Sequence, residues 1–497
     1  MPSSPYNASR ELTRGVFWAV LMRWAMRAIG LLSMLILARL LSPEDFGVAA
    51  MGTLLVGFLT AFTEIGVSVH LIRAKDIDRV HCDTAWTMGL LQNVLISLAL
   101  VALAHPASLY FNEPRVVNVI YVIALAHFIG GLHNIGPVLA RRELNFTLDF
   151  RFNVYRKLVI FAATVGVALY LRSYWALVLG HLIGGVASVI LSYGMHSYRP
   201  SWALKKAPEY LRFGLSIIPL RLATTLHGMA ARFLVGGAGS ASSLGSFTVS
   251  SGLATIFTAE IVQPMGRGLY PNYARLAAHK ERLSAVYRQV LAMVTLIVIP
   301  LGVGMSATAS DMVALLLGPK WTSAPALIEY LAIGAVAYAV SHTMNNQILV
   351  ATGRERSAAV LAWLRLGLTV PILLLGLNFE GVLGLAKATI VAPLVCLPVI
   401  YMETRRAVSL PLSALAGLLW RPVTAALVMY ITVKALHPQT VQWAVLRLAW
   451  DIAAGAAAYT ATTLVLWLAS GRPEGAERIV IHQLRKRVRF LRFSSIA

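Results

Sequence analysis

The stretch GVFWAVLMRWAMRAIGLLSMLILA, residues 15–38, decides the class of fold. As a helix rising about 1.5 Å per residue, it is long enough to cross a hydrocarbon core of about 30 Å. It nevertheless carries Arg23 and Arg27. At that rise Arg23 lies about 12 Å into the span and Arg27 close to its middle. A charge at such depth costs about 2.5–3.5 kcal/mol on insertion scales, so these residues face a bundle interior or a wet cavity and mark pathways. The preceding MPSSPYNASRELTRG is polar and has no short apolar core with a small-residue cleavage site. The expectation is that no signal peptide is removed and the first span is retained.

The rest of the chain repeats the pattern. Apolar residues make up 58% of the 497, charged residues only 13%, and the mean hydropathy is +0.71. This composition describes a polytopic membrane protein. Apolar runs between polar breaks give fourteen candidate helices: 15–38, 45–70, 84–105, 116–138, 157–171, 174–195, 213–236, 244–266, 289–309, 325–350, 357–377, 381–402, 412–436 and 444–470. The fifth is short and the thirteenth is interrupted by Arg421-Pro422, so the expected count is twelve to fourteen. Barrel-type alternation is absent, which leaves an all-α fold. The two cysteines, Cys82 and Cys396, are far apart, and the twelve histidines form no ligand motif. Neither a disulfide framework nor a metal site is expected, and no cofactor motif stands out.

Orientation follows from the basic residues in short loops. With the N-terminus in the cytoplasm, most of the 43 lysines and arginines fall on that side, in segments such as 141–157, 196–212 and 266–288. Both termini are then cytoplasmic. The net charge of +22 reflects topology and attraction to anionic lipid, without nucleic acid. In the tail 471–497, Ile481, Leu484, Val488 and Leu491 share a stripe flanked by arginines. That spacing reads as a basic amphipathic helix on the inner membrane surface; a solvated basic tail is the alternative.

A shift of 198 residues aligns Glu11 with Glu209, Arg14 with Arg212, Arg23 with Arg221 and Gly47 with Gly245. It also maps span one onto span seven and span two onto span eight. A six-helix shift preserves orientation, so the halves read as parallel repeats about an axis along the membrane normal. The expected organisation is a six-helix lobe at 1–195, a linker at 196–212, a second six-helix lobe at 213–402, two added helices at 403–470, and the tail.

Intramembrane charge is the strongest functional signal. Arg23, Arg27, Arg221, Arg232, Arg365 and Lys387 fall within expected spans. Arg23 and Arg27 are four apart and share a helical face. A cavity basic on both walls would attract an anion, which makes these six the candidate substrate-binding residues. Snorkelling is the alternative for Arg232, near a span end, and pairing with an intramembrane acid is the alternative for the others. The acids are few: Glu64, Glu260, Glu329 and Asp451. Glu64, Glu260 and Asp451 are the candidates for ion coupling. Pro219, Pro264, Pro300, Pro371 and Pro393 mark hinges or ordinary kinks. Asp76-Ile77-Asp78 reads as a charged turn, and GGAGSASSLG (236–245) lacks the GK[ST] of a phosphate loop.

The segments LARLLSPEDFGVAAMGTLL (37–55) and FTEIGVSVHLIR (62–73) resemble the opening of the oligosaccharide-lipid flippases. These are the O-antigen and exopolysaccharide exporters of the multidrug/oligosaccharidyl-lipid/polysaccharide superfamily. GPVLARREL, LNFTLDFRFNVYRK (together 136–157) and PNYARL (271–276) are similar to further stretches of that family. Many relatives carry an Asp in the seventh helix within a pattern like A-D-R-L-L-I-G; here Ala231 stands in that place.

The resemblance implies a flippase, without catalytic residues, that moves undecaprenyl-diphosphate-linked sugar units from the cytoplasmic to the periplasmic leaflet of a bacterial inner membrane. Alternating access of the two lobes would carry the headgroup across. Polysaccharide polymerases and assembly proteins are the implied partners beside the lipid-linked substrate. A cation-coupled multidrug antiporter is the alternative within this architecture, though arginines outnumber membrane acids. A scaffold or a membrane enzyme of polysaccharide assembly is the alternative from another class, and the short segments between spans leave an enzyme little room.

Overall fold

The computed structural model describes residues 5–478, apart from 75, 409–410, 439–440, 442 and 474, and among these every regular element is a helix. The expected amphipathic helix of the tail falls beyond Arg478 and lies outside the described residues. In chain order the helices are α1 (Pro5–Leu40), α2 (Pro43–Thr63), α3 (Val67–Arg73), α4 (Arg79–Phe111), α5 (Val116–Gly131), α6 (Gly136–Arg142), α7 (Phe146–Leu171), α8 (Trp175–Met195) and α9 (Ala207–Ala238). They continue with α10 (Ala241–Ala254), α11 (Ile256–Leu276), α12 (Lys280–Ala307), α13 (Ala309–Leu316), α14 (Ala324–Tyr338), a π turn at Ala339–Thr343, α15 (Met344–Ala351), α16 (Glu355–Ala407), α17 (Leu412–Leu436) and α18 (Ala444–Ala469). Contacts divide the chain into two compact units, Met1–Thr248 and Val249–Ala497. That division falls inside α10, later than the one suggested by the repeat, and α9 packs on α2 and α4.

The protein is an all-helical, multi-pass membrane protein. Ten of its described helices are long and apolar enough to cross a membrane, or eleven if α5 and α6, bent by 56°, form one span. This is fewer than the fourteen apolar stretches of the sequence, and the causes are local. Stretches 357–377 and 381–402 form one continuous element, α16, with non-helical backbone only at Glu380 and Gly381. Gly381 has φ +61°, a conformation that glycine adopts without steric cost. The two legs then fold back on each other: a Cβ on Gly384 would lie 2.1 Å from the Gly376 carbonyl oxygen. Stretch 244–266 breaks at Thr255 into α10 and α11. By contrast, Pro422 does not interrupt α17, and the neighbouring Arg421 is buried in an ion pair with Glu477 at 2.7 Å.

In the first unit, the SPEDFG turn between α1 and α2 shows why its residues are what they are. Ser42 caps α2, accepting from the Asp45 N–H, while the Asp45 carboxylate accepts from the Ser42 N–H at 2.9 Å. Pro43 occupies the first turn, where its missing N–H has no helical acceptor to lose. Glu44 takes the Arg115 guanidinium at 2.5 Å, and Asp45 also accepts from the Tyr174 N–H at 2.8 Å. Arg115 holds the Glu113 carboxyl below its usual range by a side-chain hydrogen bond. One residue therefore ties this end of the bundle to the α4–α5 turn and another ties it to the α7–α8 turn.

Gly47 completes the turn, and its counterpart in the repeat is its neighbour in space. A Cβ on Gly47 would stand 1.7 Å from the carbonyl oxygen of Ala241, and a Cβ on Gly245 would stand 1.7 Å from that of Pro43. Pro43 and Ala241 are also separated by 198 residues. The contact is thus reciprocal, as a two-fold relation requires, and it brings α2 and α10 together backbone on backbone. Replacing Gly47 or Gly245 by Ala inserts a methyl where no space exists, at an expected cost of about 1–3 kcal/mol. Gly89→Ala in α4 and Gly166→Ala in α7, where nothing lies within 4 Å, serve as controls. Helix propensity alone makes Gly→Ala stabilising by about 1 kcal/mol. Thermal unfolding of the purified protein should therefore shift down for the first pair and up or nowhere for the controls; equal shifts would disprove the close contact.

Candidate functional site

The first unit holds a half-open cavity of about 790 Å³ lined by α1, α2 and α5–α8, with Asn93 of α4 and Thr248 of α10. Helix α7 supplies its charged wall. Asn145 caps the helix, which begins eleven residues before the apolar run at 157–171, so the basic residues counted there as loop charge are helical. Asn153, Arg156, Lys157, Ile160 and Thr164 all line the cavity. Their spacing places them on one face of a helix. His181 of α8 and His127 and His133 of the α5 region line it as well. Helices α7 and α8 meet closely at Gly180, where a Cβ would lie 2.1 Å from Thr164 Oγ1.

No lining residue is acidic. Among the three basic ones, Arg141 reaches the buried Asp149 at 3.2 Å. Arg156 and Lys157 have no acidic partner within 4 Å among the described residues. A half-open cavity whose charged lining is all positive suits an anion. The apolar-run reading passed over Arg156 and Lys157, although the i, i+3, i+4 and i+11 spacing of Asn153, Arg156, Lys157 and Thr164 was available as a signal.

The arginines singled out from the sequence lie elsewhere. Helix α1 presents Met26, Ser33 and Leu37 to the cavity. Arg23 and Arg27 are half-buried and do not line it. Arg221, on α9, forms an ion pair with Glu64 at 2.7 Å, so one candidate anion-binder and one candidate coupling acid are partners. The pair sits where α2 ends. The chain turns through Gly66, at φ +68°, into α3, and α9 packs so closely that a Cβ on Gly214 would lie 2.8 Å from the Ile65 carbonyl oxygen. Arg142 of the GPVLARREL stretch donates to the carbonyls of Leu71, Ile72 and Ala74, closing the end of α3. Arg232 is half-buried on α9, one turn before Gly236, which admits the Phe111 ring as Gly237 admits that of Tyr110.

In the second unit, Arg365 is only 5% exposed on α16, and its Nε and Nη2 find no hydrogen-bond partner among the described residues. Lys387 is not a lone cation: it pairs with Glu380 at 2.5 Å, beside the turn of α16, and lies 5.3 Å from the Tyr330 ring centroid. Glu260 is half-buried on α11. Asp451 is buried near the start of α18 and bound to His437 at 2.9 Å. The described structure thus brings Arg221 to Glu64 and leaves Arg365 buried without an acid.

Comparison with known proteins identifies the class of molecule that carries these features. Residues 36–326 match the family described as polysaccharide biosynthesis protein. The lipopolysaccharide biosynthesis protein WzxC of Escherichia coli (strain K12) is 20% identical over 76% of this chain and 77% of its own. The succinoglycan biosynthesis transport protein ExoT of Rhizobium meliloti (strain 1021) is 22% identical over 66% of this chain and 67% of its own. In fold, the chain is similar to the lipid II flippase MurJ in an inward closed conformation, with a TM-score of 0.73 at 12% identity, covering 92% of this chain and all of the other. The chain belongs to the polysaccharide biosynthesis protein family and is a multi-pass membrane protein.

Proposed function

We propose that this protein moves a lipid-diphosphate-linked oligosaccharide, of the undecaprenyl type, from the cytoplasmic to the periplasmic leaflet of a bacterial inner membrane. The observation that carries this reading is the cavity of the first unit, whose charged lining is wholly basic. A diphosphate brings at least two negative charges and needs charge-assisted hydrogen bonds to replace its hydration. Guanidinium groups supply these in a fixed fork geometry. A volume of about 790 Å³ also lies within the usual range for ligand sites, about 300–1,000 Å³. Arg156 and Lys157 take the phosphates in this reading, and the polar, uncharged side chains of Asn93, Asn134 and Asn153 meet the sugars. Alternating access moves the headgroup while the polyprenyl tail stays in lipid.

Loss of a charged hydrogen bond costs about 1.5–3 kcal/mol, or roughly ten- to a hundredfold in binding. In a strain lacking the chromosomal copy, the Arg156→Ala/Lys157→Ala double variant should therefore leave the lipid-linked oligosaccharide on the cytoplasmic leaflet, with surface polysaccharide reduced at least tenfold. If a variant that inserts normally restores wild-type polysaccharide, the cationic cavity is not the substrate route.

A second experiment separates binding from pairing at Arg221. If Arg221 only neutralises Glu64, then Arg221→Gln should be harmful alone and harmless together with Glu64→Gln. If Arg221 meets the substrate anion, Glu64→Gln alone should retain transport and Arg221→Gln should abolish it in both backgrounds. The same leaflet assay reads all four combinations.

A further inference from the structure

In the second unit, three segments converge on one group of ligands. Asp311 comes from α13, His437 from the turn after α17, and Asp451 from the first part of α18. Each offers a ligand atom, and these atoms all lie within 4.8 Å of one another. Side-chain exposure is 8% for Asp311 and 2% for Asp451, whereas His437 is 36% exposed and forms the open side.

The site is held from outside its three members. The Arg447 guanidinium donates to Asp311 Oδ1 from Nε at 2.9 Å and from Nη2 at 2.7 Å, and to the Val441 carbonyl at 3.1 Å. The Trp450 indole N–H donates to the Leu436 carbonyl at 3.2 Å, fixing the turn that presents His437. Asp311 therefore has one oxygen fully engaged and its other, Oδ2, turned to His437 Nε2 at 3.8 Å. That separation is too long for a hydrogen bond. It is close to the spacing of two ligands that each sit about 2.0–2.2 Å from one tetrahedral ion, roughly 3.4 Å. His437 Nδ1 lies 2.9 Å from Asp451 Oδ2. Asp451 Oδ1 is buried and has no hydrogen-bond partner among the described residues.

Charge points the same way. Arg447 engages only Asp311, and the buried Oδ1 of Asp451 has no hydrogen-bond partner among the described residues. A buried unpaired carboxylate is costly, and a bound cation removes the cost. The mixed nitrogen and oxygen donor set suits a borderline divalent ion better than calcium or magnesium, which favour all-oxygen sites.

We propose that Asp311, His437 and Asp451 bind one divalent transition-metal ion of the zinc class, which fastens the α17–α18 hairpin to α13. This site is independent of the flippase reading and holds whatever the transported substrate is. The test uses the full-length protein, purified in detergent and stripped with EDTA. Titration with ZnCl₂ should show saturable uptake of about one equivalent and a rise in melting temperature, while millimolar CaCl₂ or MgCl₂ should not compete. His437→Gln and Asp451→Asn should each weaken zinc binding at least tenfold with an unchanged elution volume. Absence of saturable uptake by the wild-type protein would overturn the proposal without reference to any variant. So would equal uptake by the His437→Gln/Asp451→Asn double variant. A melting temperature that follows pH between 5 and 8 identically with zinc and with EDTA would show instead that His437 clasps the two aspartates with a proton.

Discussion

The reciprocal contact of Gly47 with Ala241 and of Gly245 with Pro43 is the constraint on which the first unit is built. Two helices cannot approach to the point where one backbone fills the place of the other's Cβ unless both positions lack a side chain. The requirement is met at two positions 198 residues apart, which makes the contact self-complementary. The residues just before Gly47 then fix the direction in which α2 enters this contact. Ser42 and Asp45 cap it, Glu44 holds Arg115, and Asp45 holds the Tyr174 backbone. None of these residues need touch a substrate, which explains why a turn so recognisable says much about family and little about cargo.

Much of the fold could be read from the chain because a bilayer leaves few choices: an apolar run near twenty residues must satisfy its backbone as a helix. Charge, too, was informative in sign and position. What stayed hidden depended on contacts between distant residues or on the start of an element. Helix α7 begins at Phe146, while the apolar run begins at Lys157, so its basic cavity face looked like loop. The partnership of Arg221 with Glu64 spans 157 positions of sequence and has no local signature. Lys387 and Glu380 are seven apart and meet because α16 folds at Gly381, a conformation that hydropathy does not report. His437 was one of twelve scattered histidines until two aspartates from other segments enclosed it.

Paired and unpaired charges divide the labour in this protein. Arg421 with Glu477, Lys387 with Glu380 and Arg221 with Glu64 are each neutral as pairs. Their cost of desolvation is met within the chain, and such pairs fix geometry more than they add stability. Arg156, Lys157 and Arg365 are different, since no described acid answers them. Under the proposed function, the anion that arrives and departs would be their partner. A carboxylate within reach would compete with the cargo for the same hydrogen bonds.

If the cargo is the proposed lipid-linked diphosphate, the membrane potential also bears on the return of the empty carrier. Moving one charge through 100 mV is worth about 2.3 kcal/mol, so two negative charges leaving a negative interior release about 4–5 kcal/mol. The same potential acts on the carrier's own fixed charges if they move through the field with the cargo. A loaded site in which two cations answer a diphosphate is close to neutral and feels little force, whereas the empty site is positive and is drawn back toward the interior. On this reasoning the potential acts mainly on the return of the empty carrier, and the asymmetry comes from cations such as Arg156 and Lys157 having no carboxylate of their own. Had evolution placed an acid beside them, the site would bind less and the empty carrier would lose the force that returns it.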